Sequence, residues 1–364
     1  MLLNLSVPCH FGLESVVKYE LAKIGAENIS AADGKVDFSG DVSSLARANI
    51  RLACGERVRI LLAEFYAATF QDLIDEAEAI PFEDFIGKND KFPVKGKALD
   101  CALSSVPRIQ ATIKKAAVNR LSKKYGIENF SETDNLFQIE FTAIKNIFRI
   151  YLDSSGAGLH KRGYRPRSNA APIKETLAAG MIDLARIRGT DRLFDPFCGS
   201  GTILIEAIYK AYNIAPGLKR KFAAENWGFI PQKIWEDERE AARADIKTDV
   251  QFEVFGYDND PEAIALTLEN AKHAGVANKL TAKTRDIKQF SQDGGIVVTN
   301  PPYGERMLEI RDAERLYEEL GRHTPGAAAV ISPSEEFEKF FGRRAFKKRK
   351  LYNGMMKCNL FLFK

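Results

Sequence analysis

Neither a membrane span nor an export signal is expected in this chain of 364 residues. No apolar run reaches the roughly 18 residues that a span needs, and the amino terminus has no basic region followed by a cleavage site. The expected location is the cytoplasm, with no membrane partner. Cysteine and histidine are scarce. The five cysteines (Cys9, Cys54, Cys101, Cys198 and Cys358) are odd in number and unpaired in spacing, and the four histidines (His10, His160, His273 and His323) are dispersed. Neither a disulfide framework nor a metal site is expected. A dominant charge is missing too, because a net charge of +4 does not by itself announce a polyanion-binding protein. What the chain does have is 45% hydrophobic and 28% charged residues, enough to bury a sizeable core in two or three domains.

The basic residues are few in excess but clustered. Lys114, Lys115, Arg120, Lys123 and Lys124 share one expected helix, Lys161, Arg162, Arg165 and Arg167 share a connector, and residues 219–221 are all basic. Six of the eight residues from Arg343 to Lys350 are basic as well. Each cluster alone reads more readily as a solvated face than as a binding site.

The chemistry is concentrated in two stretches. Leu193 and Phe194 lead into Asp195-Pro196-Phe197-Cys198-Gly199-Ser200-Gly201-Thr202, after which apolar residues resume at helical spacing. That pattern is a strand, a tight turn and a helix, with glycines that let backbone approach a ligand at the helix start. A dinucleotide would need a third glycine, but Leu204 stands there, and a carboxylate at Asp195 is a poor neighbour for a pyrophosphate. A ligand carrying an amino group, such as S-adenosylmethionine, suits it better. A glycine-rich turn without a ligand is the plainer alternative. About a hundred residues on, a buried-strand run, Ile296 to Val298, precedes Asn300-Pro301-Pro302-Tyr303-Gly304-Glu305-Arg306. The prolines remove two N–H donors and leave acceptors, the Asn300 side-chain oxygen and nearby carbonyls. Acceptors are what an exocyclic base amine needs, since holding its hydrogens aims the lone pair at a methyl donor. Tyr303 offers a face for the base to stack on. A merely rigid loop is the alternative.

Together these two stretches resemble the THUMP-domain class I methyltransferases that modify guanine N2 in RNA, and within them the bacterial 23S rRNA m2G group, long labelled N6-adenine-specific DNA methylases. The likeness covers nearly the whole chain. It implies an α/β protein: a C-terminal Rossmann-like class I methyltransferase with a seven-stranded mixed sheet, preceded by α+β ferredoxin-like and THUMP domains. The expected boundaries are 1–55 for the ferredoxin-like domain, 56–155 for the THUMP domain, 156–171 for a linker and 172–364 for the catalytic domain.

Local patterns fit this division. Strands are expected at Leu2 to Pro8, Lys35 to Phe38, Arg57 to Tyr66 and Lys97 to Leu103, and helices from Leu13 to Ile24, from Val42 to Leu52, after Thr69 and after Val106. Phe137, Ile139 and Phe141 alternate, as do Phe148, Ile150 and Leu152, which predicts two more strands. A helix is expected from Pro172 to about Ile187. A charged and aromatic insertion with Trp227 and Trp235 delays the next strand, Gln251 to Tyr257, well beyond the usual ~20 residues after the glycine turn. Asp258 ends that strand and is placed for ribose hydroxyls, with Asn259 beside it and Asp260 as a helix cap before Pro261. Asp286 is placed for the adenine amine, or serves as a turn aspartate. The chain closes on a hairpin, Lys350 to Asn353 and Met356 to Phe363, whose antiparallel last strand is the mark of class I methyltransferases.

The expected cofactor is S-adenosyl-L-methionine, held by Asp195, Pro196, Phe197, Cys198, Gly199, Gly201, Thr202, Asp258, Asn259, Asp286 and Asn300. Catalytic positioning is expected from Asn300, Pro301, Pro302 and Tyr303. Lys114, Lys115, Lys161, Arg162, Arg165 and Arg306 are candidate RNA contacts, with Lys161, Arg162 and Arg165 equally able to pin the linker to the catalytic domain through carboxylates. The expected reaction is methylation of guanine N2 in 23S rRNA or a ribosomal precursor. Adenine N6 in DNA or RNA is the alternative, and a non-catalytic RNA-binding factor a further one.

Overall fold

The computed structural model describes residues 1–166, 173–189, 191–303 and 307–364. Its amino-terminal half is one seven-stranded sheet rather than two. The chain runs β1 (Leu3–Pro8), α1 (Glu14–Lys23), β2 (Glu27–Ala32), β3 (Lys35–Gly40), α2 (Val42–Arg51) and β4 (Arg59–Tyr66). It continues through α3 (Phe70–Glu78), β5 (Val94–Leu99), α4 (Val106–Tyr125), β6 (Ile139–Ile144) and β7 (Ile147–Asp153). The strand order is β2-β3-β1-β4-β7-β6-β5. β4 joins the two units, pairing antiparallel with β1 at Leu5 and Ile60 and with β7 along its length.

Local chemistry accounts for most of these elements. Thr69 and Asp72 form a reciprocal capping box at the start of α3, and Gly126 closes α4 in the left-handed conformation. Two strand expectations need correction. β2 was not expected, because its residues are nearly all exposed and alternate no apolar side chains. β5 lies earlier than Lys97 to Leu103, and it stops at Leu99 because Asp100 turns to a positive φ of 51°.

The carboxy-terminal half is the doubly wound unit. It contains α5 (Glu175–Leu184), β8 (Arg192–Asp195), α6 (Thr202–Ala211), α7 (Gln232–Ala244), β9 (Glu253–Asp258), α8 (Pro261–Ala274) and β10 (Thr281–Thr284). Then follow β11 (Ile296–Thr299), α9 (Met307–His323), β12 (Ala327–Ser332), α10 (Phe337–Phe341), β13 (Lys347–Asn353) and β14 (Met356–Phe363). Strand order is β10-β9-β8-β11-β12-β14-β13, with β14 antiparallel to both neighbours. The expected start of α5 at Pro172 lies outside the described residues. Because strand order reverses between β8 and β11, the loops after their carboxyl ends open over one crevice.

The insertion before β9 has a structural job. Trp227, fully buried, stacks on Phe137, just ahead of β6, at 4.7 Å and donates its indole N–H to the Leu136 carbonyl at 2.9 Å. Arg47 on α2 forks onto Glu238 of α7 at 2.9 and 2.7 Å, and Arg51 reaches Asp245 at 2.6 Å. Gly217 donates its N–H to the Ile50 carbonyl at 2.8 Å. α6 is apolar on nearly every side and buried from Thr202 to Tyr209, so it is a central helix packed between sheet and neighbours.

Candidate active site

A cleft of about 910 Å³ lies at the carboxyl edge of β8, β9 and β11. Of the residues expected from the sequence, Asp195, Pro196, Phe197, Cys198, Gly199, Thr202, Asp258, Asn259, Asp286 and Asn300 to Tyr303 all line it. The loop after β8 is held tightly by its own contacts. Phe197 donates its N–H to Asp195 at 3.2 Å, Cys198 to the Tyr257 carbonyl at 2.9 Å, Gly199 to Asp258 at 2.9 Å and Gly201 to the Cys198 carbonyl at 2.8 Å. With these amides spent internally, the turn has few donors left for a pyrophosphate.

Two residues on α8 that sequence reading missed fix the same loop. The Thr267 hydroxyl donates to the Gly199 carbonyl at 2.8 Å and the Asn270 amide to the Ser200 carbonyl at 2.9 Å. Both are fully buried polar groups among the helix's apolar positions, which is the signal that could have found them. Gly201 does not line the cleft. It starts α6 at φ 77°, and a Cβ there would lie 2.8 Å from the Thr267 methyl, so its smallness lets α6 and α8 approach.

Asp195 is the buried acid of the site. Its Oδ1 accepts from the Thr299 hydroxyl at 2.6 Å and from the Phe197 N–H. Burial pushes its carboxyl up to about 7, against the lowering effect of these two donors, and the nearby Asp258 charge adds to the rise. Both hydrogen bonds fall on Oδ1, so Oδ2 is available to a cation in the cleft, and a cation is what would return this group to its charged form. Asp258 accepts the Gly199 and Asp260 N–H groups, one on each oxygen, and each oxygen retains capacity for a hydroxyl. Asp260 caps α8 by accepting the Glu262 N–H at 2.8 Å, while Asp286 caps a short turn through the Lys288 N–H at 2.9 Å and still faces the cleft. The Cys198 thiol is pushed far up by burial and is no nucleophile at neutral pH.

On the opposite lip, the Tyr303 hydroxyl donates to the Asn300 side-chain oxygen, and burial holds that phenol well above its usual range. The Asn300 acceptor is thus capped by Tyr303 until a better donor arrives. Pro301 is buried and Pro302 exposed.

The basic candidates divide sharply. Arg162 is a correction: it is 3% exposed, pairs with the equally buried Glu206 at 3.4 Å, and donates to the Leu159 carbonyl at 2.7 Å, so it cannot reach RNA. Tyr164 donates to the same Glu206 at 3.0 Å. Arg165 is corrected likewise, since its guanidinium donates to Glu175 at 3.0 Å and to the Thr202 hydroxyl at 2.9 Å, bracing the cofactor loop. The reason is the same in both cases. Carboxylates buried on α5 and α6 need cations, and the linker supplies them. Lys114 is tied to its own unit by Glu132 at 2.5 Å and by the Phe92 ring at 3.4 Å. Lys115 and Lys161 are exposed, and Arg306 lies outside the described residues.

Away from the cleft, Glu20, Cys54 and Asp183 bring ligand atoms within 4.8 Å of one another. They do not fit a cation. Lys210 already pairs with Asp183, Glu20 accepts the Cys54 N–H at 3.1 Å, and burial pushes the Cys54 thiol far up. Among the described residues no helix is long and apolar enough to cross a membrane.

A strand order ending in an inserted antiparallel strand, over a cleft that favours an amino group rather than a pyrophosphate, defines a class I methyltransferase that uses S-adenosylmethionine. Comparison with known proteins narrows the class. The RMKL-like methyltransferase domain matches residues 162–361, the RlmL ferredoxin-like domain residues 4–59 and the THUMP domain residues 67–153. The chain belongs to the RMKL-like methyltransferase family. It is 39% identical to the candidate RNA methyltransferase YpsC of Bacillus subtilis over 97% of this chain and 93% of that protein. It is 32% identical to the ribosomal RNA large subunit methyltransferase K/L of Psychromonas ingrahamii over 99% of this chain, which spans 50% of that relative. The crystal structure of SMU.472, a candidate methyltransferase complexed with S-adenosylhomocysteine, superposes with a TM-score of 0.93 at 34% identity, over 100% of this chain and 98% of that one.

Proposed function

We propose that this protein transfers a methyl group from S-adenosylmethionine to the exocyclic N2 amine of a guanine in 23S rRNA, working in the cytoplasm on rRNA or a ribosomal precursor. The observation that carries the reading is the pairing, across one cleft, of a buried carboxylate suited to an amino group with a lip of hydrogen-bond acceptors suited to a base amine.

The cofactor supplies an electrophilic methyl group on a sulfonium. The chain's residues do the rest. Asp195 takes the ammonium, Asp258 the ribose hydroxyls and Asp286 the adenine amine. Asn300 Oδ1 and the carbonyls of the Pro301 turn accept the two N–H groups of the target amine, which directs its lone pair into the cleft. To do so Asn300 exchanges its Tyr303 hydroxyl partner for the base, and the Tyr303 ring then stacks on it. The step needs no strong base, because the amine proton becomes acidic once nitrogen is methylated and leaves to water.

The RNA assignment draws on the THUMP match and on the names of the relatives; Lys115 and Lys161 are the exposed candidates for phosphate contacts. The test is incubation with labelled S-adenosylmethionine and unmodified 23S rRNA, tRNA or duplex DNA, followed by nucleoside analysis. N2-methylguanosine from rRNA is expected. N6-methyladenine, or label in DNA only, would transfer the Asn300 lip to adenine chemistry, and cofactor binding without transfer to any nucleic acid would leave a non-catalytic binding factor.

A further inference from the structure

The hairpin of β13 and β14 holds its turn at the mouth of the cleft. Asn353 pairs with Met356, so only Gly354 and Met355 lie between the strands. Gly354 has a φ of 63° and Met355 has none that is positive, the pattern of a type II′ turn, whose twist matches that of its strands. At this tip the Met355 side chain is 100% exposed. The tip is nonetheless part of the site, since Asn353 to Met356 line the same cleft as Asn300 and Asp195. The strand that leads to it is basic from Lys347 to Lys350. It is braced from the amino-terminal unit, where Phe11 meets Tyr352 edge-on at 6.1 Å.

One exposed apolar side chain is ordinary on a protein surface. One carried on a two-residue turn at the rim of a base-accepting cleft, at the end of a strand with Lys347, Arg349, Lys350 and the Glu338-paired Lys348, is not. A nucleotide that enters the cleft must leave its stack, and the vacated step is costly unless an apolar side chain fills it. We propose that Met355 is this wedge: it inserts at the step vacated by the target nucleotide of a structured RNA while β13 steadies the flanking phosphates. An unbranched, polarisable side chain suits a slot between two base planes. The proposal rests on the reading of the cleft as one that accepts an RNA base.

The experiment begins by mapping the nucleotide that the wild-type protein methylates in unmodified 23S rRNA. A fragment is then made with 2-aminopurine at that nucleotide, whose fluorescence rises when it leaves the stack. Wild-type protein gives the rise on binding. Met355→Ala loses most of it and lowers kcat/KM on the rRNA by roughly tenfold or more, with unchanged melting and unchanged affinity for S-adenosylhomocysteine. Met355→Leu, which keeps an apolar wedge, restores both. An undiminished rise and kcat/KM in Met355→Ala overturns the wedge, and so does a loss that Met355→Leu fails to restore. A wild-type protein that methylates no rRNA refutes the function itself, a separate and visible failure.

Discussion

Cofactor affinity should depend on pH through Asp195. In the free protein its carboxyl is pushed up to about 7, and the groups that face it are the Thr299 hydroxyl, the Phe197 N–H and the Asp258 carboxylate. If the ammonium of S-adenosylmethionine binds the ionised form, affinity follows the ionised fraction, about 3% at pH 5.5 and about half at pH 7. That predicts roughly 15-fold tighter binding across the window, or about 1.6 kcal/mol. The window stops at pH 7 so that an α-amino group, ordinarily titrating at about 7.7–8.0, stays protonated. Isothermal titration calorimetry in two buffers of different ionisation enthalpy gives both the affinity and the protons released, expected near one at pH 5.5 and about half at pH 7. Asp195→Asn should bind more weakly at pH 7 and show no slope. The sign for the empty protein is opposite. The folded form keeps a proton to about 7 while the unfolded chain releases it near 3.8, so stability falls as pH rises between those values. Affinity that is flat from pH 5.5 to 7, or a slope that survives in Asp195→Asn, would refute the reasoning.

Arg162→Met leaves Glu206 buried without its cation and should lower stability by about 3–5 kcal/mol, read by denaturant unfolding, while Lys161→Ala, on the exposed neighbour, should leave stability alone and weaken RNA binding. Asn300→Ala removes the amine acceptor and should cut kcat by roughly 10²–10³-fold in a labelled-methyl assay, with a far smaller change in cofactor affinity by calorimetry. Partial burial pushes the Glu56 carboxyl up, but the nearby His10 and His160 rings and the Thr176 hydroxyl outweigh this and hold it well below the usual range. Its contribution to stability is therefore present above the unfolded value of 4.5 and lost as pH falls below it. Glu56→Gln should lower the melting temperature at neutral pH and flatten the acid side of a stability profile.

The parts of the fold that were legible are those where local chemistry and burial agree. The turn at Gly199 and Gly201, the capping box at Thr69, Asp260 before Pro261 and the closing hairpin each carry a signal within a few residues. β2 was hidden because an exposed polar edge strand has no period-2 apolar pattern, and its existence depends on pairing with β3 across a two-residue turn. The union of two units into one sheet was hidden as well, since β4 reads as a strand but not as one that pairs on both sides. In the site, motif residues were visible and their partners were not. Thr299, Thr267 and Asn270 act through contacts 68 to 104 residues away in sequence. Arg162 and Arg165 stayed divided between RNA and carboxylates for a related reason, as a basic run looks the same in sequence whether it faces water or buried carboxylates on α5 and α6.

The place of these arginines bears on how the protein would choose its target. The linker arginines do not free the amino-terminal sheet to swing; they are internal to the joint, with Arg162 on Glu206 and Arg220 donating to the linker carbonyl of Gly158 at 2.7 Å. Around them, Trp227 on Phe137, Arg47 on Glu238 and Phe11 against Tyr352 tie the sheet to the insertion and to the hairpin at the cleft mouth. These contacts, buried at Arg162, Arg220, Trp227 and Phe137, tie the amino-terminal unit to the domain that carries Asn300. Duplex RNA offers shape and phosphates far more readily than base edges. On the proposed function, then, RNA contacts made by the amino-terminal unit would select by shape, and acceptance of an amine by Asn300 would inspect the base.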